Sequence, residues 1–307
     1  MTADGSELSD IAVRQNGDAC QRLLKARQWR WAVAVRWQLA QIALVLAAPI
    51  LAVTLGLAVP EAKPFIAFLA VCLTLLDVTL VDRAYKTTLK TAARSSELFD
   101  IQLLKLAWHG LVAGMRPTPE ETDRAVRGWE GLRTKHSIEN WYALDVDKVP
   151  MGLARAICQR TNVTYDSDLR RLYRIWLDSL MVGVTVIIVS LGMASQATFA
   201  DFVLSAVVPM APFLIWGLRE RFRQADAVKA NEPVVQEAEK LIEAVIAGNC
   251  PDHDCLVRSR SLQDAIFQRR ATTVLLFPGI YRYRRPDAER DMLAGAAYWV
   301  EKAIERA

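Results

Sequence analysis

The chain has 307 residues, of which 52% are hydrophobic and 23% charged, and its formal net charge is +4. So small a net charge argues against coating of a nucleic-acid polymer, and we expect no such partner. A mean hydropathy of +0.14 despite so many charges indicates apolar blocks separated by polar blocks. The five cysteines show no regular spacing, which excludes a disulfide framework and favours a reducing location.

Four long apolar runs occur along the chain, at residues 38–59, 64–81, 176–194 and 202–218. Each is long enough to cross a hydrocarbon core of about 30 Å as a helix. Short links join the first run to the second and the third to the fourth. This pairing predicts two transmembrane hairpins rather than the buried helices of a large soluble protein.

Basic residues predict how these hairpins are oriented. The two short links contain a single lysine between them, whereas arginines and lysines flank the other ends of the runs. The positive-inside rule therefore places both termini and the long middle segment in the cytoplasm. The basic flanks are Arg27, Arg30 and Arg36, then Arg83, Lys86 and Lys90, then Arg170, Arg171 and Arg174, and finally Arg219, Arg221 and Arg223.

The segments outside the runs carry helix signals and no sustained strand-like alternation. Thr118, followed by Glu120 and Glu121, predicts a capped helix start. Asp166 or Ser167 is predicted to cap a helix that leads into the third run, and Pro233 to end the helix that follows the fourth. Helical apolar spacing is further seen at Val234, Ala238, Leu241, Ile242 and Val245, with Gly248 as a stop, and at Met292, Ala296, Val300 and Ile304.

The predicted fold class is therefore all-α, a polytopic membrane protein with four transmembrane helices in two hairpins. A helical cytoplasmic region is built from the middle loop and the C-terminal tail. The predicted segments are a cytoplasmic N-terminal helix (1–37), hairpin 1 (38–82), a cytoplasmic helical segment (83–175), hairpin 2 (176–218) and a C-terminal cytoplasmic helical segment (219–307).

Polar residues interrupt the apolar runs. Asp77 lies in the second run with Thr74 one turn before it, Gln41 lies in the first run, and Asp178 opens the third. A charge at mid-membrane costs roughly 2.5 to 3.5 kcal/mol, so such residues need a partner or water. These four residues are our pore-lining candidates, because rings of acidic side chains select cations.

A purely structural role stays open for Asp77, which could instead pair with Arg171 or Arg174 of a neighbouring helix. A single four-helix bundle has no lumen for ions, so a pore would require several copies of the chain. Pro209 and Pro212 interrupt the fourth run and predict a kink, which serves either as a gating hinge or for helix packing alone.

A basic and aromatic stretch provides candidate ligand contacts. Arg155, Arg160, Arg170 and Arg171, with Tyr165 among them, could bind phosphates through guanidinium groups and a base through the aromatic ring. The alternative is that the later arginines are membrane anchors and that the earlier ones pair with local acids.

Catalytic motifs are absent from the sequence: there is no Gly-rich phosphate loop, no HExxH and no nucleophile elbow. CPDHDC, at residues 250–255, is interpreted as a polar turn between helices rather than as a metal site. We therefore expect no enzyme, no metal and no cofactor.

Three stretches resemble a known family. WYALDVDKVPMGLARAICQRTNVTYDSDLRRLYRIW is similar to the signature region of the SMODS-associated four-transmembrane effectors of bacteria. LFDIQLLKLAWHGLVAGMRPTPEE and SRSLQDAIFQRRATTVLLFPGIYRYRRPDAERDM extend the resemblance over nearly the whole chain.

The resemblance implies a role in anti-phage defence at the bacterial inner membrane. A partner nucleotidyltransferase of the cyclic-GMP-AMP-synthase type makes a cyclic oligonucleotide, and the effector responds by permeabilising the membrane. The chain is accordingly predicted to be a homo-oligomeric pore in the lipid bilayer, gated from the cytoplasm by a cyclic nucleotide ligand. The alternatives are a non-conducting scaffold or sensor that recruits a cytoplasmic partner and a membrane-embedded enzyme.

Overall fold

The structure, a computed structural model, describes residues 8–58, 63–133, 135–194, 198–203 and 207–306. Helices make up nearly all of these residues, and the described part of the chain contains no strand beyond one isolated bridge between Leu8 and Pro150. The all-α prediction is confirmed. Parts of the two links and of the fourth run, at residues 59–62, 195–197 and 204–206, lie outside the described residues.

The ranges given above contain eleven α-helices. A π-helical turn (Asp77–Val81) follows α3, and a 3₁₀ turn (Leu144–Lys148) precedes α7. The helices are α1 (Ile11–Arg14), α2 (Asp18–Ala58), α3 (Lys63–Leu76), α4 (Asp82–Leu103), α5 (Gly110–Ala113), α6 (Pro119–Glu130), α7 (Met151–Ala194), α8 (Phe199–Phe202), α9 (Val208–Ile246), α10 (Asp252–Thr272) and α11 (Pro278–Ile304).

The chain divides into two compact units. The first unit comprises Met1–Val33, Thr88–Leu169 and Ala227–Ala307, and the second comprises Ala34–Thr87 and Arg170–Asp226. Helices α7 and α9 each supply residues to both units. The five predicted segments follow a different division, by membrane topology, and remain a prediction.

The first unit is organised around one apolar core. Phe99 and Leu103 of α4, Ile157 of α7, and Leu241 and Ile242 of α9 are all fully buried in it. Phe99 and Leu103 are four residues apart, and Leu241 and Ile242 follow the fully buried Ala238 by three and four residues, so each set lies on one face of its helix. The predicted apolar face of the C-terminal tail is confirmed at Ala296 and Val300, whereas Ile304 at the end of α11 is exposed.

Predicted helix ends are confirmed where a local hydrogen bond or backbone conformation defines them. The Thr118 hydroxyl accepts a hydrogen bond from the Glu121 N–H, the Glu121 carboxylate accepts one from the Thr118 N–H, and α6 begins at Pro119. Gly248 has a positive φ of 71° just after α9 ends at Ile246. Both ends follow from residue types that favour these conformations.

Two other predicted boundaries are wrong. Helix α7 begins at Met151 and passes through Asp166 and Ser167 without a break. Ser167 is buried and accepts a hydrogen bond from the Asn231 side chain at 2.7 Å. Helix α9 likewise continues through Pro233 to Ile246. Burial of residues on both sides outweighs the roughly 3 kcal/mol that an internal proline costs.

The second unit exposes many large apolar side chains. Phe65 and Phe68 of α3 are 77% and 70% exposed, and Val182 and Ile187 of α7 are 64% and 59% exposed. Over Met151–Ser190, α7 is long and apolar enough to cross a membrane, and 17% of its apolar window is buried. Among the described residues this is the one helix that meets both criteria, so the count of four spans remains a prediction.

CPDHDC was predicted to be a polar turn between helices, but only Cys250 and Pro251 lie between α9 and α10, and its two cysteines are paired. Cys250 and Cys255 form a disulfide whose Cα atoms are 5.8 Å apart, and α10 begins at Asp252 within the motif. A local pair of this kind is not the multi-bridge framework that the sequence excludes. The described residues contain no cluster of three or more metal-binding side chains.

Candidate functional site

The predicted ligand contacts on α7 are engaged within the protein. Arg155 is buried, and its Nε donates to the Leu104 carbonyl at 2.8 Å. Arg160 forms an ion pair with Glu239 at 2.7 Å, and its guanidinium lies 5.6 Å from the ring centroid of Trp299. The local-acid alternative therefore describes Arg160, while Arg155 bonds a backbone carbonyl instead.

The other predicted contacts do not converge on these two residues. Arg170 is buried in the second unit and donates to the Gln224 side chain, and Arg171 is exposed. Tyr165, in the first unit, hydrogen-bonds Tyr281, and burial raises the pKa of its phenol well above the usual range. The structure thus does not assemble the five candidates into one pocket, and their role in ligand binding remains a prediction.

Both acidic pore-lining candidates have side-chain partners, and the partner of Asp77 is not one of the arginines considered as the alternative. Gln41 donates to Asp77 at 3.4 Å, and Asp178 forms an ion pair with Arg221. Among the described residues Asp77 has no basic partner, so its partner is neither Arg171 nor Arg174. Thr74 is exposed one turn before Asp77. Pore lining by these four residues remains a prediction.

The hinge candidates lie at the start of α9. Pro209 and Pro212 fall within its first five residues as the helix is bounded, from Val208. Pro209 lies in the first turn of this range, whereas Pro212 is its fifth residue and has no N–H to donate to the Val208 carbonyl. A gating hinge here remains a prediction.

A buried polar network, which the sequence did not predict, connects three helices of the first unit. Glu97 and Asp100 of α4 are 0% and 1% exposed. Arg260 of α10 contacts Glu97 at 2.6 Å, and the Gln263 amide donates to Glu97 at 2.8 Å and to Asp100 at 3.2 Å. Arg270 forms an ion pair with Asp100. Buried charges persist only when paired in this way.

Other residues complete this polar network. The Tyr142 hydroxyl donates to Asp100 at 3.0 Å, and Arg270 donates to the Asn162 side-chain oxygen at 3.0 Å. Gln159 of α7 donates to the Gln263 side-chain oxygen at 3.2 Å. The three stretches that carry the family resemblance thus meet in this network, since each of them supplies at least one of its members.

Burial determines how the network titrates. It raises the pKa of Glu97, although hydrogen bonds from Gln263 and Arg260 act in the opposite direction. It raises the pKa of the Tyr142 hydroxyl well above its usual value, with Asp100 adding to the effect. It lowers the pKa of the Arg27 guanidinium, and the positive charge of Arg270 lowers it further. The arrangement joins α4, α7 and α10 through paired charges and hydrogen bonds.

The first unit also contains a cavity of about 170 Å³, which we call the arginine cavity. Three arginines from three parts of the chain line it, together with hydroxyl groups and one carboxylate. Sequence analysis singled out none of the three for ligand binding, because they are distant in sequence. The lining residues are Arg30, Thr91, Arg94, Ser95, Met115, Arg116, Pro117, Thr118, Glu121 and Thr122.

The wall of the arginine cavity depends on Gly114. This residue has a positive φ of 73°, a conformation that side chains with a Cβ rarely adopt. A Cβ there would lie 2.8 Å from Nη2 of Arg94. Arg94 donates through Nε to the Ala113 carbonyl at 3.0 Å, and the Trp108 indole donates to the Gly114 carbonyl at 2.9 Å. The turn that precedes Arg116 is therefore fixed on both sides.

The described part of the chain is thus helical, with an ion-paired network beside an apolar core in the first unit and one helix long and apolar enough to cross a membrane. The chain belongs to the SMODS-associating 4TM effector family, whose domain matches residues 9–298. It is also similar to a probable CBASS effector molecule of Bacillus cereus (strain VD146). The two are 22% identical over 207 residues, which cover 67% of this chain and 68% of the relative. No solved structure matches the chain.

Proposed function

We propose that this protein is a non-enzymatic anti-phage effector that forms an oligomeric pore in the bacterial inner membrane. A cyclic oligonucleotide, made by a partner nucleotidyltransferase of the cyclic-GMP-AMP-synthase type, opens it from the cytoplasm. Membership of the 4TM effector family carries this proposal. The relative described as a probable CBASS effector supports the same defence role.

The exposed apolar surface of the second unit supports its placement in lipid. Soluble proteins rarely expose large contiguous apolar patches, and Phe65, Phe68 and Val182 are each more than 60% exposed. In the proposed topology four spans cross the bilayer, and both termini and the segment 83–175 are cytoplasmic. Asp77, Asp178, Thr74 and Gln41 then line the pore between several copies of the chain.

Gating follows as a shift between closed and open populations. A ligand that binds the open arrangement more tightly favours it by that difference in affinity. Helices α7 and α9 supply residues to both units, so they provide a continuous backbone connection between a ligand site in the first unit and the predicted spans. Pro209 and Pro212 are the hinge candidates within this scheme.

The test is ion flux from liposomes that contain the purified protein alone. We expect flux only when a cyclic oligonucleotide is added, and reduced cation selectivity in Asp77→Asn, which removes the charge and keeps the shape. Thr87→Val, at an exposed position of α4 beyond the predicted span, is the control and should conduct as wild type. Absence of flux with every cyclic oligonucleotide would reject the pore and favour the scaffold or sensor.

A further inference from the structure

Three arginines line the arginine cavity together with a single carboxylate, that of Glu121. We propose that the arginine cavity binds a phosphodiester group of the activating ligand. This inference rests on the proposed function only in naming a cyclic oligonucleotide as the source of that group.

The charge of the cavity is not neutralised by ion pairs. Arg30 donates to the Glu121 carbonyl at 3.2 Å and Arg94 to the Ala113 carbonyl at 3.0 Å, so both bond neutral backbone oxygens. Among the described residues, no carboxylate lies within ion-pair distance of Arg30, Arg94 or Arg116. By contrast, Arg160, Arg260 and Arg270 of the same unit each contact a carboxylate.

The remaining polar groups favour an anion over a cation. Glu121 is the single acidic side chain in the lining, and its carboxylate accepts a hydrogen bond from the Thr118 N–H at 3.3 Å. Three arginines against one glutamate leave a formal charge of +2 around the cavity. The Nε of Arg30 is buried and has no hydrogen-bond partner. A buried donor without a partner is costly, and a phosphate oxygen would satisfy it.

Hydroxyl groups in the lining bond backbone groups: Ser95 donates to the Thr91 carbonyl at 3.3 Å, and Thr122 donates to the Thr118 carbonyl at 3.0 Å. Ser95 is buried, and it lines the cavity together with Thr118 and Thr122. Guanidinium groups bind phosphate oxygens through paired, charge-assisted hydrogen bonds, and hydroxyls can rotate to donate to the same oxygens. The guanidinium groups are therefore the main donors to a phosphate, and Ser95 and Thr122 would donate to it only after leaving their carbonyl partners.

The size of the cavity limits what enters it. Pockets that enclose a whole drug-sized ligand measure about 300 to 1,000 Å³, and this cavity is smaller, at about 170 Å³. It accommodates one phosphodiester with part of its sugars rather than a complete cyclic oligonucleotide. Arg116 is exposed at the rim, where the rest of such a ligand would extend.

Membrane phospholipids carry the same phosphodiester chemistry, so the experiment has two arms. In the first, the full chain in detergent is titrated with cyclic di-AMP, cyclic di-GMP, cyclic GMP-AMP and cyclic tri-AMP. In the second, it is titrated with nanodiscs that contain phosphatidylglycerol, against nanodiscs of phosphatidylcholine alone. Each arm compares wild type with Arg116→Ala, Arg94→Ala and Arg116→Lys.

The matched control is Arg127→Ala, which removes the same charge from α6 outside the cavity lining, where Arg127 pairs with Asp123. We expect each alanine variant of a lining arginine to weaken binding at least tenfold, a loss of about 1.4 kcal/mol. Arg116→Lys should recover part of that loss, and Arg127→Ala should bind as wild type. Thermal unfolding of each variant separates lost binding from lost folding.

The outcomes separate the cavity from the proposed function. Binding of a cyclic oligonucleotide that depends on Arg94 and Arg116 supports both. Binding of phosphatidylglycerol but of no cyclic oligonucleotide, with the same dependence on Arg94 and Arg116, supports phosphodiester binding by the cavity. It removes ligand gating from the proposed function. If folded Arg94→Ala and Arg116→Ala bind a cyclic oligonucleotide as wild type does, the cavity is not the phosphodiester site. The proposed function then still stands. If wild type binds neither probe, the assignment of the cavity as a phosphodiester site is also rejected.

Discussion

The first unit buries a charged network beside its apolar core, and the second unit exposes large apolar side chains. Glu97 and Asp100 lie fully buried among hydrogen-bonding partners in the first, while Phe65 and Val182 lie largely exposed in the second. In water, each exposed apolar side chain of this size forgoes about 1.5 to 3 kcal/mol of burial. The comparison teaches that the two units differ in what they bury and expose: buried polar contacts hold helices of the first together, while the second presents an apolar surface that the proposed function places in lipid.

The largest effect is expected from breaking the buried ion pair of the first unit. Asp100→Ala leaves the Arg270 guanidinium buried without its carboxylate and should cost about 3 to 5 kcal/mol of folding stability. Arg284→Ala, which removes one partner of an exposed pair with Asp287 in the same unit, should cost less than about 1 kcal/mol. Thermal unfolding in detergent measures both, and equal losses would show that burial of the network does not matter.

A smaller effect should follow from placing a charge on the apolar surface of the second unit. Val182→Lys should lower membrane insertion by about 2.5 to 3.5 kcal/mol if that surface faces lipid. Val257→Lys is the control, because Val257 of α10 is a similarly exposed valine in the first unit. The measurement is the inserted fraction in a glycosylation-reporter assay. Insertion of the two variants to the same extent would contradict the contrast between the units.

The smallest effect is expected from adding one methyl group in each unit. Gly128 of α6 packs so closely on Trp29 that a Cβ would lie 2.4 Å from the indole ring, so Gly128→Ala should cost about 1 to 3 kcal/mol. Gly183 of α7 has no atom within 4 Å of such a Cβ, and Gly183→Ala should be neutral or slightly stabilising. Hydrogen exchange of α6 reports the first change, and unperturbed exchange in Gly128→Ala would contradict this packing.

Features defined by neighbouring residues were predictable from the sequence. The cap at Thr118 and the stop at Gly248 depend on contacts within a few residues, and both are confirmed. The buried face of α9 follows from helical spacing alone. The start of α7 was placed too late because Asp166 and Ser167 have the composition of a cap, while tertiary packing extends the helix through them.

Site residues were less predictable because their partners are distant in sequence. Asp100 interrupts the apolar sequence LFDIQLL, and this signal alone marks it as a buried polar residue. Nothing local indicates that Arg270, 170 residues away, pairs with it. In the same way, Arg30 was interpreted only as a membrane-flanking charge, and its position at the cavity with Arg94 and Arg116 depends on the tertiary fold.

Helix α7 has one mechanical consequence. Its 44 residues contain no proline and form a rod about 66 Å long. A helix of this length without proline keeps its backbone hydrogen bonds from one turn to the next. A displacement imposed near Arg160 therefore has an unbroken, hydrogen-bonded backbone path to Val182, more than twenty residues further along the same helix.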